Sequence, residues 1–556
     1  MSFLASILAK LKGIWAKMLG SKTIESALHI TPILSNEMER AIQQWSDLYK
    51  NKAPWLHEPD KENPTRIVSL GLPALIASEK ARMVVLEMQS EITTPTKEVE
   101  VDNPNYQEPE PDEFGNVLPT LETKTIIQEK PIGNTERAEF LNTYYTKLKA
   151  NLRRQVEYGI AKGGLVIKPY LVEGQLDEST NKKTYTIEFD YIQADCFYPI
   201  AFDASGNITE AAFLDSKVEK DVVYRRLEYH KFDSKKNSVT IINKAFKSNV
   251  PPNMTNRDTG AIDLGKEVPL SEIPEWSYLE PEAVVTHTNK PLFAYFKMPE
   301  ANTIDPTSPL GVSGYSRAMS LIKDADIQYS TLLWEYEGGQ LAIDIDRDAL
   351  KPRMDENGNI VQTEVNKLQE RLFRKVDLSQ TGDTYQPYAP GLRDSNYIQG
   401  LNTILMRIED VCALSRGTLS DATSEAKTAT ELKILKQRSY SANAEIQQAL
   451  ENALKDVVYI MDMYCTIYKL TSPGEYDISF EWDDSILVDV DTELNKQITL
   501  LNNGLTSKKD VIKWYFGMTD RQAEDKLKEI AGESEADLEK DLIMQSNIIR
   551  QNQKNK

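Results

Sequence analysis

Three long stretches with apolar residues at helical spacing dominate the pattern of this chain. In the first, Ala318, Ile322, Ala325, Tyr329, Leu332 and Tyr336 step alternately by four and three. This heptad-like stripe predicts the packing seam of a long helix closed by Gly338-Gly339. Leu321, Leu333 and Trp334 widen the stripe, so the helix needs apolar contact on more than one side. A second seam, Ile398, Leu401, Leu405, Ile408 and Cys412, predicts a helix from about Arg393 to Arg416, with Gly417 ending it. A third, Ile446, Leu450, Ala453, Val457, Ile460 and Tyr464, lies where neither Gly nor Pro occurs between Thr418 and Ser472, and predicts a helix over about 428–468. At 1.5 Å per residue it reaches ~60 Å, far beyond the globular average of about 11–12 residues. Such a rod suits a long assembly better than one compact domain.

The flanking regions have other textures. Ser35 is placed to cap a helix carrying Met38, Ile42, Trp45 and Tyr49, and Pro54, Pro59 and Pro64 break the pattern before a second helix from Leu72 to about Glu91. Residues 93–133 hold six prolines and the acidic tract Glu108–Glu113, which predicts a surface loop or hairpin tip. Helix returns over 136–162. From Leu165 to about Phe296 the texture is strand: Tyr185, Ile187 and Phe189 alternate with Thr184, Thr186 and Glu188, Asp203–Gly206 reads as a hairpin turn, and Val239–Ile242 is a further β run. Between the first two long helices lies a turn-rich segment with Asp355–Gly358 as a turn and a short helix over Glu364–Arg374. After the third helix come a strand at Asp477–Trp482, a helix from Lys508 capped by Thr506 or Ser507, and a further cap at Thr519 with Gln522. The fold class is α+β. At the N-terminus Phe3, Leu4, Ile7, Leu8, Leu11, Ile14, Trp15 and Met18 form an amphipathic helix, read as docking on its own protein or a neighbour rather than on a membrane.

Composition narrows the function. The 556 residues suggest several structural units, and no apolar run is long enough to span a bilayer. Three scattered cysteines and four histidines give neither a disulfide framework nor a metal site, so the expectation is no metal and no cofactor. The net charge of −20 argues against a surface that grips nucleic acid by neutralising phosphates, but not against one past which DNA must slide. Phosphate-binding, hydrolase, zinc-protease and EF-hand signatures are missing. The best carboxylate cluster, Asp344, Asp346 and Asp348, could hold a hard cation but reads more simply as a solvated strand edge. The expectation is therefore no enzyme.

The order of elements resembles bacteriophage portal proteins, most closely those of tailed phages of Gram-positive hosts. The resemblance rests on Ser35-Asn-Glu-Met38 with Ala41–Trp45 and Leu48-Tyr49 as an opening helix, on Pro199–Asp203 through Gly206 with Glu210, Tyr224 and Glu228-Tyr-His230 as a β-rich wing, on Ser424–Glu431 leading into the long helix, and on Phe480–Ser485 after it. It covers about residues 35–530. It implies a ring, commonly of twelve subunits, at one capsid vertex, through which double-stranded DNA passes without sequence-specific contacts. Residues 1–312 are then wing, 313–338 and 393–417 stem, 339–392 clip, 418–427 a DNA-facing tunnel loop, 428–487 the long helix with its wing strand, and 488–556 crown. Implied partners are the terminase large subunit, the major capsid and scaffold proteins and a head-completion adaptor, with no membrane. In the tunnel loop Thr418, Ser420, Asp421, Thr423, Ser424 and Glu425 offer short polar side chains that approach DNA without gripping it, and Lys427 offers one phosphate contact. In the clip Arg371, Arg374 and Lys375 form a basic cluster suited to a partner. The alternative is another helical virion component, a tail or baseplate protein without a tunnel.

Overall fold

The computed structural model describes residues 24–30, 33, 35–56, 66–86, 88–102, 125–177, 182–219, 222–248, 264–340, 342–346, 353–354, 357–358, 360–361, 373–376, 385–421, 429–482, 490–516, 523, 526–527 and 530. The amphipathic stretch Phe3–Met18, the acidic tract 108–113, the Thr519 cap and Asp348 lie outside them. The chain divides into two compact units, Met1–Glu481 and Trp482–Lys556.

The first unit opens with the short helix α1 (Ile24–Leu28), then α2 (Asn36–Tyr49) and α3 (Leu72–Val85). Ser35 caps α2 as its sequence position requires, its Oγ accepting the Met38 N–H at 3.3 Å. Met38, Ile42, Trp45 and Leu48 are buried on one face. Helix α3 stops several residues before Glu91, because the chain turns into strand β1 (Met88–Thr93). At the two ends of the proline-rich region β2 (Thr96–Asp102) pairs antiparallel with β3 (Thr125–Pro131).

Helix α4 (Glu136–Lys162) buries Leu141, Tyr145, Leu148, Leu152, Val156 and Ile160 at three- and four-residue spacing. It feeds the predicted β region: β4 (Gly164–Asp177), β5 (Lys182–Gln193), β6 (Phe197–Phe202), β7 (Ile208–Glu219), β8 (Val222–Asp233), β9 (Ser238–Ser248), β10 (Lys266–Val268), β11 (Glu282–Thr286) and β12 (Ala294–Lys297). One sheet runs β10-β9-β8-β7-β6, with β11 also on β9, and a second runs β12-β4-β5. The β6–β7 hairpin turns at Asp203, whose backbone N–H reaches the Asn207 carbonyl at 2.9 Å while Gly206 takes a φ of +81°.

Phe197, Phe213 and Phe293 pack together within the sheets. Beside them Lys168 is buried and ion-paired to Glu228 at 2.7 Å, and His230 Nε2 meets the same Glu228 oxygen at 2.7 Å. Burial opposes ionisation of Glu228, yet Lys168, His230 and Arg226 together hold its carboxyl well below the ordinary range. Burial pushes His230 down, against the pull of Glu228.

Helix α5 (Met319–Gly338) follows a short 3-10 turn at Ser316–Ala318. The connecting region holds β13 (Ala342–Asp346), β14 (Arg353–Met354), β15 (Ile360–Val361), β16 (Phe373–Val376) and β17 (Tyr385–Tyr388). Two expectations are corrected here. The helix placed over Glu364–Arg374 does not extend to its predicted end, because Phe373 and Arg374 are strand; residues 362–372 are outside the described set. Strand β13 is central, not an edge: it pairs parallel with β16 and antiparallel with β17. Asp344 stands in register with Arg374.

Helix α6 (Asp394–Val411) ends five residues before Arg416, since Ala413 adopts a left-handed φ of +53° and turns the chain back. Helix α7 (Ala429–Tyr468) has 40 residues and the predicted seam: Ile446, Leu450, Ala453, Val457 and Ile460 are all buried. It packs on α3, α4, β4 and β12. Strand β18 (Asp477–Trp482) pairs with β1. In the second unit α8 (Val490–Asn502) precedes α9 (Lys508–Phe516), which Ser507 caps by accepting the Asp510 N–H at 3.1 Å.

Candidate functional site

The helix pair α5/α6 is rooted in the β region by close backbone packing. Gly163 has a φ of +89° and lies so near Gly311 that an added Cβ would sit 2.6 Å from the Gly311 carbonyl oxygen. Gly314 N–H donates to the Ile160 carbonyl at 2.9 Å. Tyr315, fully buried, donates its hydroxyl to the Trp45 carbonyl at 2.7 Å, and burial raises its phenol. Lys80, 2% exposed, pairs with Glu300 at 3.3 Å, and Arg317 approaches the other Glu300 oxygen at 3.8 Å. Burial pushes the neighbouring Cys412 thiol up to about 12.

Side chains on the helices then hold the segments beside them. On α5 the buried Asp326 accepts Trp55 Nε1–H at 2.9 Å and Leu70 N–H at 2.8 Å. One turn on, Ser330 Oγ accepts Val68 N–H at 3.0 Å. Burial raises the Asp326 carboxyl, and the two hydrogen bonds act against that rise. Near the far end, Glu335 accepts the Arg393 backbone N–H and Nε–H, each at 3.1 Å, and Nη2–H at 2.8 Å. That clamp closes the neck where the chain leaves α5 and returns into α6.

The apolar stripes of this pair are buried at the root and open at the neck. Ile322, Ala325 and Leu332 are buried on α5 and Ile408 on α6, with Cys412 just beyond it. Toward the neck Trp334 is 62% exposed, and Tyr336, Leu392 and Ile398 are exposed as well.

Beyond α6 the chain winds into a knot around one carboxylate. Glu409 is fully buried; its backbone carbonyl accepts Leu414 N–H at 2.9 Å. Its Oε1 accepts the backbone N–H of Leu419 at 2.7 Å and of Ser420 at 2.8 Å, and its Oε2 accepts the Ser420 hydroxyl at 2.8 Å. Arg416 lies 3.9 Å away. Asn402 Oδ1 accepts Asp421 N–H at 2.8 Å.

The predicted site residues are distributed accordingly. Thr418 and Ser420 belong to the knot, Thr418 Oγ1 donating to the Ser415 carbonyl at 2.6 Å, and Asp421 is exposed at its end. Thr423, Ser424, Glu425 and Lys427 lie outside the described residues, as does Arg371. Arg374 and Lys375 are neighbouring positions on β16, in register with Asp344 and Ile345. Among the described residues no group of His, Cys, Asp and Glu is arranged to hold a metal ion, and no helix is long and apolar enough to cross a membrane. A polar cavity is lined by Ser90, Glu91, Asn142, Lys149 and Glu481, where the Ser90 hydroxyl meets the Tyr145 hydroxyl at 2.8 Å and Lys149 Nζ donates to the Ser90 carbonyl. Sequence reading passed over Asp326, Glu335 and Glu409; the available signal was an acid set directly beside a seam residue.

These features define a mixed α/β protein whose long helices are rooted in a β framework. The family model for phage portal protein, SPP1 Gp6-like, matches residues 30–540, so the chain belongs to the phage portal proteins. That family is structural and not enzymatic. No curated protein matches the chain.

Proposed function

We propose that copies of this chain close into a ring, with twelve as the expected number, that conducts double-stranded DNA during packaging and ejection. In this reading residues 1–312 form the wing, 313–338 and 393–417 the stem, 339–392 the clip, 418–427 the tunnel loop, 428–487 the long helix and its wing strand, and 488–556 the crown. The clip receives the terminase large subunit and later a head-completion adaptor; the outer body meets the major capsid and scaffold proteins. The observation that carries the reading is the exposed neck of the helix pair. Tyr336 and Ile398 continue stripes that are core at the root, Trp334 and Leu392 stand exposed beside them, and a neighbouring copy supplies the missing cover. The net charge of −20 agrees with a conduit, since each basic wall contact adds an attraction that must break as DNA advances.

Complementation of a portal-deficient phage tests the DNA role. Asp421→Lys with Glu425→Lys should leave rings intact and cut the yield of filled heads; normal yield would remove the loop from the account. Charge reversal at Arg371, Arg374 and Lys375 should abolish motor docking with assembly unchanged, and undiminished motor binding would remove the clip assignment.

A further inference from the structure

We infer that Glu409 is a positioning residue that sets where and in which direction the chain leaves the stem for the DNA-facing loop; this rests on the tunnel-loop reading above. A carboxylate with no exposed surface is costly to retain unless its lone pairs are filled. At Glu409 they are filled by one short segment. Two consecutive backbone N–H groups, Leu419 and Ser420, converge on Oε1, and the Ser420 hydroxyl closes on Oε2. The same residue's backbone carbonyl holds Leu414 N–H, so side chain and main chain of one residue secure both ends of the turn from 414 to 420.

The turn is further closed on itself. Thr418 N–H and Oγ1–H both reach the Ser415 carbonyl, at 3.2 and 2.6 Å, and Gly417 takes the φ of +82° that the reversal demands. Asn402, two turns earlier on α6, receives Asp421 N–H. The knot is therefore built on the helix, and Asp421, anchored to it through Asn402, is the first exposed acid of the proposed loop.

A helix ended by an ordinary left-handed cap needs only the Leu414 bond. The carboxylate serves nothing in capping α6; its three bonds all go to residues eight or more positions beyond Val411. That separation of tasks is what assigns it to the loop root and not to helix termination.

The geometry also makes the conservative variant informative. In Glu409→Gln the amide oxygen keeps both backbone N–H bonds, and the amide nitrogen donates to Ser420 Oγ once that hydroxyl turns round. Glu409→Ala leaves three donors without a partner. Amide hydrogen exchange on purified rings should show Leu419 and Ser420 exchanging about tenfold faster or more in Glu409→Ala, and close to wild type in Glu409→Gln. Complementation of a portal-deficient phage should then give about a tenfold or larger drop in filled heads for Glu409→Ala, restored by Glu409→Gln. Unchanged exchange in Glu409→Ala overturns the anchor; faster exchange with undiminished filling overturns its role in DNA passage. If Glu409→Ala forms no rings, Ser420→Ala replaces it, with several-fold faster exchange and reduced filling as support, and no change in either as refutation. The Asp421→Lys/Glu425→Lys variant separates the two readings. If it fills heads normally while Glu409→Ala does not, the loop assignment fails and the anchor stands.

Discussion

Glu335 and Arg393 are joined by three hydrogen bonds, one of them to the Arg393 backbone, across a break of 58 residues. The guanidinium also lies over the Tyr397 ring, 5.5 Å from its centroid. The pair fixes how the end of α5 meets the start of α6, and so holds the neck from which residues 339–392 are presented.

Because the Arg393 hydrogen bonds hold the Glu335 carboxyl below its ordinary range, the clamp has a pH dependence of definite sign. A depressed carboxyl contributes stability that is complete above the unfolded-state value, near 4.3, and is lost as pH falls through the lower folded-state value. Melting of wild type should therefore drop below about pH 4.3 more steeply than melting of Glu335→Gln. Glu335→Gln should melt lower than wild type at pH 7. Parallel pH profiles for the two would contradict the clamp.

Gly163 permits two backbone segments to touch at the root of the helix pair. Gly163→Ala adds a Cβ against the Gly311 carbonyl and forces a left-handed φ on a residue that resists it. A loss of roughly 1–3 kcal/mol is expected, read as a lower urea midpoint. An unchanged midpoint would mean that the two segments are free to separate.

Lys168 neutralises a carboxylate in the β region. Lys168→Ala removes one of two cationic partners from the buried Glu228 and leaves Arg226 at 3.3 Å, so the cost should be about 1–3 kcal/mol. Lys168→Ala combined with Glu228→Gln should recover much of that loss. If the double variant is no more stable than the single one, the ion pair is not what holds this part of the sheet.

Much of this arrangement is legible in the sequence. The spacing of Ile322, Ala325 and Leu332, and of Ile446, Leu450, Val457 and Ile460, marked residues that are buried, and Ser35 and Ser507 marked caps that form. Local periodicity reports a local structure, and these elements are local. The carboxylates were not legible for the converse reason. Asp326 meets Leu70 across 256 residues and Glu335 meets Arg393 across 58, so in sequence each acid looks like part of a solvated helix face. The 339–392 segment misled because β14 and β15 have two residues each, too few to show a period. The β16 segment, with Arg374 and Lys375 at its centre, patterns as readily on a helix. The first 23 residues and 422–428 lie outside the described residues and leave those expectations as they were.

The exposed neck makes its own demand. Trp334→Glu places a charge where the ring reading puts a neighbouring copy, on a side chain 62% exposed in the single chain. The single chain should keep its fold, with an unchanged circular dichroism spectrum, while assembly fails. An unaffected assembly would move the subunit contact elsewhere.

The native mass of the purified 556-residue chain, at micromolar concentration and near-physiological salt, bears most directly on the central claim. Closure into a ring predicts one dominant species near twelve times 63.1 kDa, with a central hole in negative-stain images, and its loss in Trp334→Glu. A monodisperse 63.1 kDa particle that stays single when capsid and scaffold proteins are added would contradict it.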